Sequence, residues 1–185
     1  DVPEHDLLEL GSGHHSFLAR RFDRRNTSRR MYASAMTLLS RRDREEASYL
    51  DIALAVADYG ERGAIDEELA SLFRRVAFNV LTSHRDDHLR NHGFLRTEGG
   101  WRLAPAFDLN PMPDMAEHAL AIDTADHTGD IDLVLSTADF YRLSDSQAQA
   151  IVDEVRTGLS GWERVARSVP VDTDEMDTLA EALTG

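Results

Sequence analysis

The sequence has no cysteine, no lysine, only five prolines and no long apolar run. Without cysteine there are no disulfides and no thiolate metal sites, which fits a reducing compartment such as the cytoplasm. No segment approaches the ~20 apolar residues of a membrane span, and the start carries no secretory apolar region. The missing lysine says more. All 20 basic residues are Arg, so the chain holds no ammonium group of the kind that reaches nucleotide phosphates in kinases. The first residue is Asp1 rather than Met, and the chain is expected to be a piece of a longer protein.

What is present suits one domain. A chain of 185 residues that is 42% hydrophobic and 29% charged builds a single core and stays soluble. The net charge of 20 − 34 = −14 argues against gripping nucleic acid through the overall field. The charge is uneven. Residues 106–185 hold 17 acids and 4 Arg, whereas Arg20 to Arg44 holds nine Arg. Both stretches read most simply as solvated faces.

Along the chain, Leu7-Leu8-Glu9-Leu10 before Gly11-Ser12-Gly13 reads as a boundary segment with remnant helix. Ser16 to Phe22 is a strand candidate. Thr27 and Ser28 are N-cap candidates for a helix through about Leu39. A second helix is expected from Ser48 to Tyr59, stopped by Gly60. A third, capped by Asp66, is expected to run to about Ser83; Leu69, Leu72, Phe73, Val76 and Val80 give it the strongest helical period. Gly93 to Arg96 and Trp101 to Ala104 flank Thr97-Glu98-Gly99-Gly100 as a hairpin. Three of the five prolines, Pro105, Pro111 and Pro113, bracket Phe107-Asp108-Leu109 and predict an irregular loop. Glu117 to Asp123 is read as extended. Asp130 or Asp132 starts a helix to about Tyr141. Ser144 caps a long one to about Ser168, with bends at Gly158 and Gly161, and a last helix covers Asp174 to Leu183.

The chemistry concentrates between the third helix and the proline-rich loop. His84-Arg85-Asp86-Asp87-His88-Leu89-Arg90-Asn91 follows the core helix, and Asp108 lies seventeen residues beyond Asn91. An Asp, an Asn five positions on, and a second Asp past a short hairpin is the layout of a kinase catalytic loop and its metal Asp. In that layout Asp86 positions the attacking hydroxyl and takes its proton. Asn91 supplies a neutral oxygen and Asp108 a carboxylate, a donor set that suits Mg²⁺ already held by phosphates. His88 reaches a phosphate or orients the loop. The plain alternatives are a loop Asp on the surface, an Asn satisfying backbone, a turn Asp and a packed His. His84 and Arg85 are read as structural, and Asp87 and His92 as support or surface. A metallohydrolase site from Asp86, Asp87, His88 and His92 is a rival, weakened because consecutive side chains diverge. No Gly-x-Ser-x-Gly, Walker A loop or dinucleotide fingerprint occurs in its context.

The run Phe78-Asn79-Val80, Asp86 to Leu95 and Trp101 to Leu109 resembles the C-terminal lobe of HipA-type serine/threonine kinases, the toxins of bacterial HipA–HipB pairs. The resemblance is dense from about Ser16 to Pro113 and thinner to the C-terminus. It implies a mostly α, protein-kinase-like large lobe with one small β-hairpin beside the catalytic loop. It places one domain over residues 1–185, with 1–25 as hinge and boundary and the N-terminal small lobe absent. It implies ATP and Mg²⁺ as cofactors, Asp86 as the catalytic Asp, and Asn91 and Asp108 on the metal. Arg21-Phe22-Asp23-Arg24 resembles the family's hinge strand, where Asp23 meets ribose; His88 is the other nucleotide-binding candidate. The partners implied are a protein substrate (glutamyl-tRNA synthetase in the type member) and a HipB-like antitoxin, with DNA reached only through the antitoxin and no membrane. The location implied is the bacterial cytoplasm. Two other functions stay open: a non-catalytic module that binds an antitoxin, and a small-molecule kinase.

Overall fold

The structure, a computed structural model, describes residues 1–184. The chain opens with strands β1 (His5–Gly11) and β2 (His14–Ala19), paired antiparallel. Leu7 to Leu10 are therefore strand, not remnant helix. Gly11 (φ 83°), Ser12 (φ 55°) and Gly13 (φ 76°) all take the left-handed conformation. That run reverses the chain within three residues, so the segment finds a strand partner at once. Two minimal strands follow, β3 (Arg24–Arg25) and β4 (Ser28–Arg29).

A second correction concerns Thr27 to Leu39. The expected helix shrinks to α1 (Ala35–Leu38), capped by Ser34 rather than by Thr27 or Ser28. The residues before it form β5 (Tyr32–Ser34), which pairs with β6 (Gly93–Arg96), and β6 pairs with β7 (Trp101–Leu103). The expected hairpin is thus two strands of a three-stranded sheet, and two further hairpins precede it. A tertiary partner 60 residues away overrode local helix propensity. Gly93 permits the pairing, because a Cβ there would stand 2.5 Å from the Tyr32 ring.

The helical body is closer to expectation. Helix α2 (Tyr49–Tyr59) starts in a capping box in which Ser48 and Asp51 satisfy each other's backbone N–H. Ser48→Ala is expected to lower stability by about 1 kcal/mol, read as a shifted urea midpoint at unchanged slope. Helix α3 (Ile65–Leu81) is the central element. Its Leu69, Leu72, Phe73 and Val76 are fully buried, each worth about 1.5–3 kcal/mol of transfer free energy. Ala64 holds its cap position without a side-chain bond. Asp66 lies in the first turn instead, where its charge suits the helix dipole.

Beyond the proline-rich loop, only Ala121 of the segment read as extended makes a β-bridge, to Ser48. Asp130 caps α4 (Ile131–Ser136), and a 3₁₀ turn covers Ala138–Tyr141. Ser144 and Gln147 form a capping box at α5 (Asp145–Leu159). This helix stops nine residues short of the expected Ser168: a break at Ser160 and Gly161 separates it from α6 (Trp162–Ala166). The last helix is α7 (Thr173–Thr184). Among the described residues no helix is long and apolar enough to cross a membrane.

Candidate active site

Helix α3 delivers the chain into the loop His84–Asn91, and β6 takes it away. Three tethers hold the loop's first half. His84, almost fully buried, donates from Nδ1 to the Asn110 carbonyl at 2.8 Å. Arg85 donates to the carbonyls of Pro113 (2.8 Å) and Met115. The Met112 N–H reaches the Ser83 carbonyl at 2.8 Å. All three bind the loop to the segment that follows Asp108, so the two halves of the candidate site move together.

Asn91 and Asp108 meet directly. The Asn91 amide donates from Nδ2 to Asp108 Oδ2 at 2.7 Å, and Asn110 donates to Asp108 Oδ1 at 3.0 Å. Asn91 is 6% exposed, and its Oδ1 is buried without a hydrogen-bond partner. As placed, the amide turns its NH₂ group to the carboxylate and leaves its oxygen buried and orphaned. Turning the amide over would set that oxygen beside the carboxylate as a hard-oxygen pair that a cation satisfies, the donor set that fits Mg²⁺. Asp108 takes a left-handed backbone conformation (φ 59°), one that Asp and Asn tolerate better than most residues.

Asp86 is exposed and makes no hydrogen bond or ion pair among the described residues. It is thus a free carboxylate at the loop surface. His88 is half-buried; its carbonyl accepts the Asn91 N–H at 2.8 Å, closing the turn, and its buried Nδ1 has no partner. Asp23 lies apart. It receives both prongs of the Arg21 guanidinium, at 2.8 and 2.6 Å. The Arg21 hydrogen bond and charge hold its carboxyl below the usual range. Phe22 beside it stacks at 5.8 Å from Phe107 and 6.0 Å from Tyr32, which roots the hinge segment on the Asp108 loop.

Two cavities flank that loop. One of about 620 Å³ lies between the β1–β2 hairpin (Phe17, Ala19) and Phe107, Asp108 and Leu109. Its size suits a small ligand. Neither Asp23 nor His88 lines it. The other, about 640 Å³, lies behind the loop between α3 and α5; it touches Asn91 but neither Asp86 nor Asp108.

The residue that sequence reasoning undervalued is Asp87. It is 2% exposed. Its Oδ2 receives Tyr49 Oη, Asn79 Nδ2 and His92 Nε2, each at 2.7 Å. Burial would raise the Asp87 carboxyl, but His92, the Tyr49 hydroxyl and His84 outweigh it and hold it below the usual carboxylate range. Burial and the Asp87 charge push the Tyr49 phenol well above its ordinary value. The signal in the sequence was the doubled Asp: adjacent side chains diverge, and here Asp86 is exposed while Asp87 is buried. The same geometry disposes of the hydrolase constellation, since no three His or acidic side chains among the described residues converge as a metal site.

The profile of the HipA-like C-terminal domain family matches residues 1–162. No curated protein matches the sequence. Among solved structures, HipA from Shewanella oneidensis MR-1, in a complex with HipB and its operator DNA, superposes with a TM-score of 0.80 at 20% identity. The match covers 99% of this chain and 49% of that one, so the chain spans about half the length of the HipA it resembles. The Helicobacter pylori proinflammatory kinase CtkA gives a TM-score of 0.49 at 13% identity, over 84% of this chain and 76% of its own.

Proposed function

The chain belongs to the HipA-like C-terminal domain family, and from that premise we propose that it is the catalytic large lobe of an ATP- and Mg²⁺-dependent protein serine/threonine kinase of HipA type. The observation that carries this reading is the Asn91–Asp108 contact with its orphaned amide oxygen. Asn91 now turns its Nδ2 to Asp108; with the amide turned over, its oxygen and the Asp108 carboxylate would hold one cation between them. Mg²⁺ bound there would neutralise charge on the transferring phosphate oxygens. Asp86, exposed and unpaired, orients the acceptor hydroxyl and accepts its proton. The cavity under the β1–β2 hairpin, which Asp108 lines, takes the nucleotide; Asp23 and His88 lie outside its lining and would reach the nucleotide only where it extends beyond that cavity. For Asp23 to meet a ribose, its Arg21 fork must open.

The whole protein's substrate and partners are part of the same proposal. The acceptor is a Ser or Thr hydroxyl of a protein, and a HipB-like antitoxin is the binding partner, in the cytoplasm. The related HipA was solved with HipB and operator DNA, which is the support for that partner.

With no lysine in the chain, the phosphate clamp is incomplete, and electrostatic stabilisation supplies most of this chemistry. The chain alone is therefore expected to transfer phosphate at no useful rate. Labelled ATP and a generic protein acceptor, incubated with the chain and with the natural full-length protein, test this. Turnover by the full-length protein only is the expected result. Robust turnover by the chain alone would overturn the incomplete-clamp account. Transfer to a metabolite but to no protein would favour a small-molecule kinase.

A further inference from the structure

Both residues of the closest buried acid–base contact in the candidate site sit beside a residue given chemistry above. Asp87 lies between Asp86 and His88, and His92 follows Asn91. The two meet at 2.7 Å with side chains 3% and 4% exposed. They are five residues apart, so their contact closes a ring across the turn that separates Asp86 from Asn91. That ring is anchored from outside by Tyr49 on α2 and Asn79 on α3, both on the same carboxylate oxygen. Tyr49 also packs edge-on to His92, ring centres 5.8 Å apart.

We propose that the Asp87–His92 contact is a buried staple that positions the catalytic loop, fixing Asn91 for the metal and Asp86 for the acceptor hydroxyl. Neither residue touches substrate; both act through their neighbours. The inference rests on the phosphotransferase reading for its effect on rate, but not for its effect on the loop itself. Burying Asp87 inward on three donors leaves Asp86 the opposite direction, toward solvent. Holding His92 against Asp87 fixes the backbone one residue from Asn91, whose side chain meets Asp108. A side chain that orients a metal ligand from behind alters metal affinity by about 10–100-fold when lost. Loop placement errors of an ångström alter rates on a comparable scale.

His92→Phe keeps the ring's bulk and removes the N–H donor. His92→Gln returns an amide N–H donor. Two measurements separate the outcomes. The first is amide hydrogen exchange of residues 86–92 in the chain and in the full-length protein, which needs no activity. The second is the apparent Mg²⁺ affinity and kcat of the full-length protein at saturating ATP, normalised to folded enzyme. Expected for His92→Phe are faster exchange in the loop, about tenfold weaker Mg²⁺ affinity and a lower kcat, all largely restored in His92→Gln. A variant that only lost folded protein would leave the Mg²⁺ affinity of the remainder unchanged, and that result would overturn the proposal. Unchanged loop exchange would overturn it too. If His92→Phe does not fold, Asn79→Ala, which removes one of the other two donors to the same oxygen, is read in the same way. Wild-type protein that shows loop protection yet neither binds Mg²⁺-ATP nor transfers phosphate would sink the kinase reading while leaving the staple in place.

Discussion

Asp86→Asn in the full-length protein is expected to lower kcat for phosphate transfer by 10²-fold or more, the scale of losing a preorganised contact to the reacting group. ATP affinity should be nearly unchanged. The side chain is exposed and bonds to nothing among the described residues, so its replacement by an isosteric amide leaves the fold intact. The loss therefore reads as chemistry rather than as stability. Steady-state transfer to the acceptor, with ATP affinity measured separately by equilibrium titration, checks both halves. Full activity in Asp86→Asn would mean that the catalytic loop has been misplaced.

A comparable effect, on stability, comes from the segment that Arg85 tethers. His118 is 3% exposed and neither ring nitrogen has a hydrogen-bond partner. Burial, with Arg85 close by, lowers its pKa from 6.5 to about 4. Its backbone is fixed on both sides: its N–H reaches the His127 carbonyl, and its own carbonyl takes the His127 ring. Between pH 6.5 and about 4 the unfolded chain binds a proton at this site and the folded chain does not, so stability falls as pH falls. A folded value below the unfolded one gives stability that is fully present above pH 6.5 and gone below about pH 4. The whole effect is about 3 kcal/mol, from ~1.4 kcal/mol per pH unit. His118→Phe keeps the bulk and removes the titration. Urea melts at several pH values should show this part of the acid destabilisation in the wild type and not in the variant. An identical pH slope in both would contradict the assignment.

The sequence made local capping legible and hid long-range pairing. Ser48 and Ser144 marked the starts of two helices, and Asp130 was one of two candidates for a third, because a cap is a local device; Thr27, Ser28 and Asp66, offered on the same ground, do not cap. The β6–β7 hairpin was legible for the same reason, through its Gly99-Gly100 turn. What misled was residues 27–39. Nothing near Met31 signals that Tyr32–Ser34 will pair with Gly93–Leu95, since the partner strand is fixed by α3 and the loop after it. The end of α5 was misplaced because the apolar positions continue past Gly161 while the backbone does not.

Within the candidate site, spacing alone picked out Asn91 and Asp108, which the structure brings into contact. It also picked out Asp86, which bonds to neither of them, and His88, which meets Asn91 only through its backbone carbonyl; Asp23 came from the family resemblance alone and is held by Arg21 instead. Spacing could not tell which Asp of Asp86-Asp87 faces inward. That depends on three donors, Tyr49, Asn79 and His92, two of which come from different helices. Asn79 was visible in the family resemblance at Phe78-Asn79-Val80, but with no role attached. Its partner explains the residue: a buried carboxylate needs every donor it can reach.

The most direct test of the central claim is the gain in ATP affinity that Mg²⁺ confers on the full-length protein, measured for wild type, Asp86→Asn and Asp108→Asn. Asp108→Asn keeps a residue type that tolerates the left-handed backbone found there (φ 59°), so it removes charge with little strain. The expected result is a clear Mg²⁺-dependent gain in the wild type and in Asp86→Asn, lost in Asp108→Asn. An equal gain in all three proteins would contradict the assignment of Asn91 and Asp108 as the metal-holding pair, and the kinase reading built on their contact would fall with it.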